Sequence, residues 1–178
     1  MIELKKKDES HKISLVKNQL INGKKAHVRM SWKTAVDLDL HAYAITSNNE
    51  FVHVYFYEKQ SKSGNIILDQ DAGVGNTAGD NEENLIVYDL SQIRKFFVAN
   101  IFRFFGNLFS SGDKFNNYYG QININTLGEE IRFYLNSNKI GRWAVIAMIN
   151  NENGAFDFKN INTILKNEPN LEYLRNLT

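Results

Sequence analysis

Two clusters of carboxylates are the side chains here whose types and spacing could do chemistry. The first lies between Asn65 and Leu90, in NIILDQDAGVGNTAGDNEENLIVYDL. Asp69, Asp71, Asp80, Glu82 and Glu83 place five acids within fifteen residues, and no Lys or Arg occurs between Asn65 and Leu90. Carboxylates crowded in this way repel one another unless a cation sits among them. Gly73, Gly75 and Gly79 permit the positive φ values that turn carbonyls and carboxylates inward. A flexible set of oxygen donors suits Ca²⁺, whereas Mg²⁺ demands stricter octahedral geometry. An EF-hand loop starting at Asp69 fails, because its fifth, sixth and twelfth positions are Gly73, Val74 and Asp80. A β-roll calcium repeat would need tandem copies, and the pattern occurs once. A solvated acidic hairpin loop with turn glycines is the alternative reading of the same residues.

The second cluster is VDLDLHAYAI, residues 36–45. Strict alternation sends Val36, Leu38, Leu40 and Ala42 one way and Asp37, Asp39, His41 and Tyr43 the other. Two residues along a strand span ~7 Å, so Asp37 and Asp39 stand side by side. Strands disfavour Asp, and a cation between the pair would explain them; a solvent-facing strand end would do so without one. His41 is the histidine nearest these acids and is a candidate base or ligand. His27 and His53, on other strand-like runs, read as ordinary sheet residues.

These clusters need strands to position them, and the chain supplies many. Met1 to Lys12 reads as a flexible or edge segment, and Ile13 to Lys17 as a short strand. In residues 27–33, Val28, Met30 and Trp32 alternate with Arg29, Ser31 and Lys33, a half-buried strand. Phe51 to Tyr57 is continuously apolar and reads as a central strand. Further strands are expected at Ile66–Leu68, Leu85–Leu90, Phe96–Phe105, Gln121–Asn125, Ile131–Leu135 and Trp143–Ile149. Asn107 to Asn117 reads as a loop, and Asn150 to Gly154 as a hairpin turn into Ala155–Lys159. Strands of this length with turn signals every ~8–12 residues indicate an all-β sandwich of two sheets. In the tail, Ile161, Ile164 and Leu165 recur at helical spacing and Pro169 interrupts before Leu171, Leu174 and Leu177. One or two short helices on the sandwich edge are expected there. The expected organisation is a flexible segment at 1–12 and one domain at 13–178.

Composition narrows the function classes. Twenty-one basic and 20 acidic residues leave a formal charge of +1, unlike a dedicated nucleic-acid binder; Lys5, Lys6 and Lys7 read as a solubilising run. With no cysteine, disulfides, thiol catalysis and cysteine-ligated zinc are excluded. The N-terminus has no apolar core for a signal peptide. No apolar run approaches the ~20 residues that span a bilayer. A cytoplasmic location is the expectation, and any membrane association would be peripheral.

The collinear order VDLDLHAYA, VYFYEKQSKSGNI and GDNEENLIVYDLSQI resembles the TerD (tellurium-resistance, stress-protein) family. ISLVKNQ before them, and FNNYYGQI and WAVIAMINNENGAFDFKNI after them, fit the same order, so the resemblance covers residues 13–175. It implies a calcium-binding β-sandwich, with Ca²⁺ (one or two ions) held between an acidic strand and an acidic loop, and other stress-complex proteins as partners. By position, Asp37 and Asp39 fall on the family's acidic strand, Asp71 on the Asp of its G-D-N, and Asp80, Asn81, Glu82 and Glu83 on its G-D-D-E. The chain departs from the pattern at His41, at Asn81 where Asp is usual, at Gln70-Asp71-Ala72, at Arg94 where Pro is common, and at Phe156 in the Trp place. Fewer carboxylates predict weaker binding, or one ion where relatives hold two.

The leading expectation is therefore a non-enzymatic, calcium-binding stress-response protein. A metal-dependent hydrolase could use the same carboxylates as acid and base or as holders of two Mg²⁺, but no Ser-His-Asp order, P-loop or HExxH is present. A calcium-dependent docking module is the third reading, with Phe104, Phe105 and Phe109 beside Arg103 and Lys114 as its patch.

Overall fold

The computed structural model of the chain describes residues 1–14, 24–34, 36–70, 81–103, 113–152 and 155–178. Two six-stranded sheets face each other. The first has the order β1 (Ile2–Leu4), β11 (Glu129–Tyr134), β10 (Gln121–Thr126), β3 (Ala26–Trp32), β7 (Asn81–Val87), β6 (Ile66–Gln70). The second has the order β2 (Ser10–Ser14), β14 (Ala155–Leu165), β13 (Trp143–Glu152), β8 (Ile93–Arg103), β4 (Asp37–Thr46), β5 (Phe51–Val54). A small pair, β9 (Asp113–Lys114) with β12 (Ile140–Gly141), stands apart from both. Pairing is antiparallel except where β1 runs parallel to β11. The all-β sandwich expected from the sequence is the architecture found.

The alternation of residue types builds the core. Val28, Met30 and Trp32 of β3, Leu38 and Leu40 of β4, and Leu85 and Val87 of β7 are all buried between the sheets. β13 buries both of its faces. A bulge at Ile146 resets its alternation, so Ala144, Ile146, Ala147 and Ile149 join the inner core while Trp143, Val145 and Met148 share the outer face. One bulged residue thus keeps two apolar faces aligned along one strand.

Several elements differ from the sequence expectation. Of the two readings of residues 1–12, flexible or edge, the edge one is found: they hold β1 and most of β2 as edge strands, tied together where Asn160 Nδ2 donates to Leu4 O at 2.8 Å and Asp8 N to Asn160 O at 2.7 Å. Phe51–Val54 is an edge strand, not a central one; its aromatic neighbours are apolar because they cover the outer face of the second sheet. The Ile161, Ile164, Leu165 spacing belongs to β14 and not to a helix. A strand apolar on both faces mimics that spacing: Ile164 packs against the inner core, Ile161 and Leu165 against the outer cluster. The 107–117 stretch, expected as a loop, holds β9 and the start of a 3₁₀ turn at Phe115–Tyr118.

The tail then forms one helix, α1 (Leu171–Asn176), capped where Asn170 Oδ1 accepts from Tyr173 N at 2.8 Å. It lies over the outer face of the second sheet, not at the sandwich edge. Leu174 is fully buried there, in a second apolar cluster with Tyr43, Phe97 and Trp143. Among the described residues no helix is long and apolar enough to cross a membrane.

Candidate metal centre and the histidine face

β3 reaches the end of its sheet at Trp32, and β4 of the other sheet begins at Asp37. β7 begins at this same end, since Asn81 pairs with Trp32. Three contacts fasten the crossing. Trp32 Nε1 donates to Val36 O at 2.8 Å, and Asn81 Nδ2 donates to Thr34 O at 2.8 Å. Glu83 Oε2 accepts from Leu40 N at 2.6 Å. Strand β5 covers β4 only over residues 42–45. Glu83, from the opposite sheet, therefore satisfies an N–H beyond that pairing. A buried carboxylate accepting a backbone N–H makes one of the stronger protein hydrogen bonds.

The expected ligands separate accordingly. Asn81 to Glu83 is strand, not loop, so successive side chains point to opposite faces. Asn81 and Glu83 are buried between the sheets, Glu83 only 2% exposed. Glu82 stands on the outer face of the first sheet, where it accepts from Asn84 Nδ2 at 2.9 Å and lies 3.6 Å from Arg29 Nη1. The counter-charge that its own segment lacks thus comes from the neighbouring strand β3. Asp69 is exposed on β6 and alternates with buried Ile66 and Leu68. Asp37 is half-buried at the start of β4, in register opposite Arg103. Asp39 is 5% exposed and shares the outer face of the second sheet with Asp37 and His41. Asp71 and Asp80 lie outside the described residues, as do Phe104, Phe105 and Phe109. Among the described residues, no three of His, Asp and Glu converge as metal ligands.

The structure also assembles a group the sequence left scattered. His41 and Tyr43 of β4, His53 of β5 and Tyr55 stack into an aromatic face, with Trp143 edge-on to His41. Tyr43 and His53 rings lie 4.1 Å apart at 17°, His53 and Tyr55 4.4 Å apart at 15°. His41 Nδ1 is 2.9 Å from His53 Nε2. Tyr43 Oη donates to Glu168 Oε1 at 2.8 Å, and that same oxygen is 3.8 Å from His53 Nδ1. Burial pushes the Tyr43 phenol above its ordinary range, and the Glu168 carboxylate adds to this. Burial holds His53 below the usual imidazole value, against the opposing pull of Glu168 and Glu58. The sequence signal for this face was weak: apolar alternation continuing through Tyr43, with nothing near it to announce Glu168.

No family model matches the chain, and no curated protein matches it.

Proposed function

We propose that this chain is a non-enzymatic calcium-binding protein of the TerD-like stress-response kind, holding Ca²⁺ at the β3–β4 crossing end of the sandwich. The observation that carries this reading is the convergence of chain ends there. β4 enters with Asp37 and Asp39, and β7 starts at Asn81 beside Thr34 O. The segment bearing Asp71 and Asp80 leads directly into that start. Asp37, Asp39, Asp71 and Asp80 are the carboxylates this reading uses. Glu83 is committed to Leu40 N, and Asp69 and Glu82 stand on the other side of their strands. Four carboxylates, two of them on β4, are a donor set that suits one Ca²⁺ better than two.

The hydrolase reading has less behind it. His41, its best base, is 3% exposed and packed edge-on against Trp143 at 4.8 Å, a placement that favours packing over contact with a substrate.

The test is thermal unfolding of chelator-treated protein with added Ca²⁺ or Mg²⁺, for the wild type and for Asp71→Ala with Asp80→Ala. Ca²⁺ at 100 times its dissociation constant stabilises by about 2.7 kcal/mol, a rise of roughly 5–11 °C for a domain of this size. The rise is expected with Ca²⁺ and to be lost in the double variant. A flat melting temperature up to millimolar Ca²⁺ would end this reading.

A further inference from the structure

β4 starts at Asp37, in the candidate metal centre, and ends ten residues on at Thr46. At that far end a cleft of about 260 Å³ lies between strand ends of both sheets. Two turns line it: residues 46–50, which join β4 to β5, and residues 61–65, which lead into β6. Gln92 adds an amide, and Val52, Ile66 and Ile93 add apolar surface. The volume falls just below the ~300–1,000 Å³ of sites for drug-sized molecules, so the cleft suits a ligand about the size of a monosaccharide.

Both turns are held by the fold itself. Glu50 N donates to Thr46 Oγ1 at 3.0 Å, Asn49 N to Thr46 O at 3.0 Å, and Ser47 N to Gln92 O at 2.9 Å. In the second turn, Gly64 N donates to Ser61 O at 2.9 Å. Asn65 grips the main chain of Asp89 in both directions: Nδ2 donates to Asp89 O at 3.0 Å and Oδ1 accepts from Asp89 N at 2.8 Å. The cleft is thus pre-formed, as sites for small molecules usually are.

The lining narrows the ligand by elimination. Among the described residues that line the cleft, Glu50 is the one charged side chain. An anion finds no cation there. It finds no nest of N–H groups either, because those of Ser47, Asn49, Glu50, Gly64, Asn65 and Ile66 are already committed. A cation finds a single exposed carboxylate, which holds it weakly. An apolar molecule would strip water from hydroxyls and amides without replacing its hydrogen bonds. What remains is a ligand that both donates and accepts and has an apolar side. The side chains of Ser47, Asn48 and Glu50 have no hydrogen-bond partner among the described residues. Buried Ser61 Oγ accepts from Ile66 N at 3.0 Å and lies 3.3 Å from Ser63 Oγ. With Ser61 as the donor of that pair, the Ser63 proton is left for the cleft. We propose that this cleft binds a neutral polyhydroxy ligand of monosaccharide size. Ser63 and Asn48 donate to its hydroxyl oxygens, Glu50 accepts from its hydroxyl groups, and Val52, Ile66 and Ile93 meet its C–H face.

The test is an NMR titration of the ¹⁵N-labelled full chain in chelator with glucose, galactose, mannose, ribose and myo-inositol, each to about 100 mM. At least one should shift the amides of residues 46–50 and 61–66 saturably, with a Kd of about 1–10 mM, and leave those of α1 unmoved. Asn48→Ala with Glu50→Ala removes two exposed side chains that hold nothing within the described fold, and should weaken that binding by about tenfold or more. Ammonium chloride and sodium phosphate are the charged controls. No saturable shift with any of the five polyols would overturn the proposal. So would an unchanged Kd in the double variant, or a response of the same amides to ammonium or phosphate at lower concentration than to every polyol. The wild-type titrations decide the matter even if the double variant does not fold.

Discussion

Glu83 and Glu168 are both carboxylates that tie one layer of the molecule to the next, and they do so under opposite conditions. Glu83 crosses between the two sheets, is almost wholly buried, and accepts from a backbone N–H of β4. Glu168 crosses from the segment between β14 and α1 to the second sheet, leaves over half of its side chain in solvent, and meets the side chains of Tyr43 and His53. A buried charge fixed on the main chain cannot be removed without leaving a donor unsatisfied. An exposed charge on side chains can be exchanged for water. The first contact is set in the core of the sandwich; the second is set at its surface.

Replacing Glu83 should therefore have the largest effect. Glu83→Ala in chelator is expected to cost about 3 kcal/mol, from an orphaned Leu40 N–H and a lost charged acceptor. Glu83→Gln keeps an acceptor oxygen and should cost about 1 kcal/mol. Urea unfolding measures both, and an alanine variant no worse than the glutamine one would dissolve the distinction drawn here. Next comes Leu174→Ala, which empties a fully buried site beneath α1. Its loss of about 2–3 kcal/mol should appear as local hydrogen exchange: protection is lost over residues 171–177 while the β13 amides keep theirs. Equal loss in β13 would mean that α1 and the sandwich unfold as one unit. The smallest effect is expected from Glu82→Ala. That carboxylate lies 3.6 Å from Arg29 with both side chains more than 40% exposed, so the change should stay below about 0.5 kcal/mol.

Much of the sandwich was legible because burial on one face leaves a period of two. Residues 28–32 and 36–45 fell where their alternation put them, whereas Asn150 to Glu152, expected in a hairpin turn, belong to β13 and pair with residues 155–157 of β14. Legibility failed where a strand is apolar on both sides. Ile161, Ile164 and Leu165 then lie on two faces yet share the spacing of one helical face. It failed again at Asn81–Glu83, where acidity suggested loop although a strand that points Glu83 inward also accommodates acids. The Tyr43–Glu168 contact joins residues 125 apart in sequence, and nothing local in either stretch signals the other. Of the candidate site, the acidic strand was readable; which carboxylates share a face depended on where β7 begins.

The terminal pairings also set a timetable for synthesis. β1 closes one sheet by meeting β11, with Ile2 against Ile131, and β2 closes the other by meeting β14, with Ser10 against Lys159. Of the strands described, β1 and β2 thus leave the ribosome before the others and are among the last to find partners. At ~5–20 residues per second, both edge strands wait several seconds with their backbone groups exposed. Over that interval the nascent chain is open to strand pairing with other chains, and MIELKKKDESHK, with Lys5, Lys6 and Lys7 between the two strands, is a sequence whose charge discourages it.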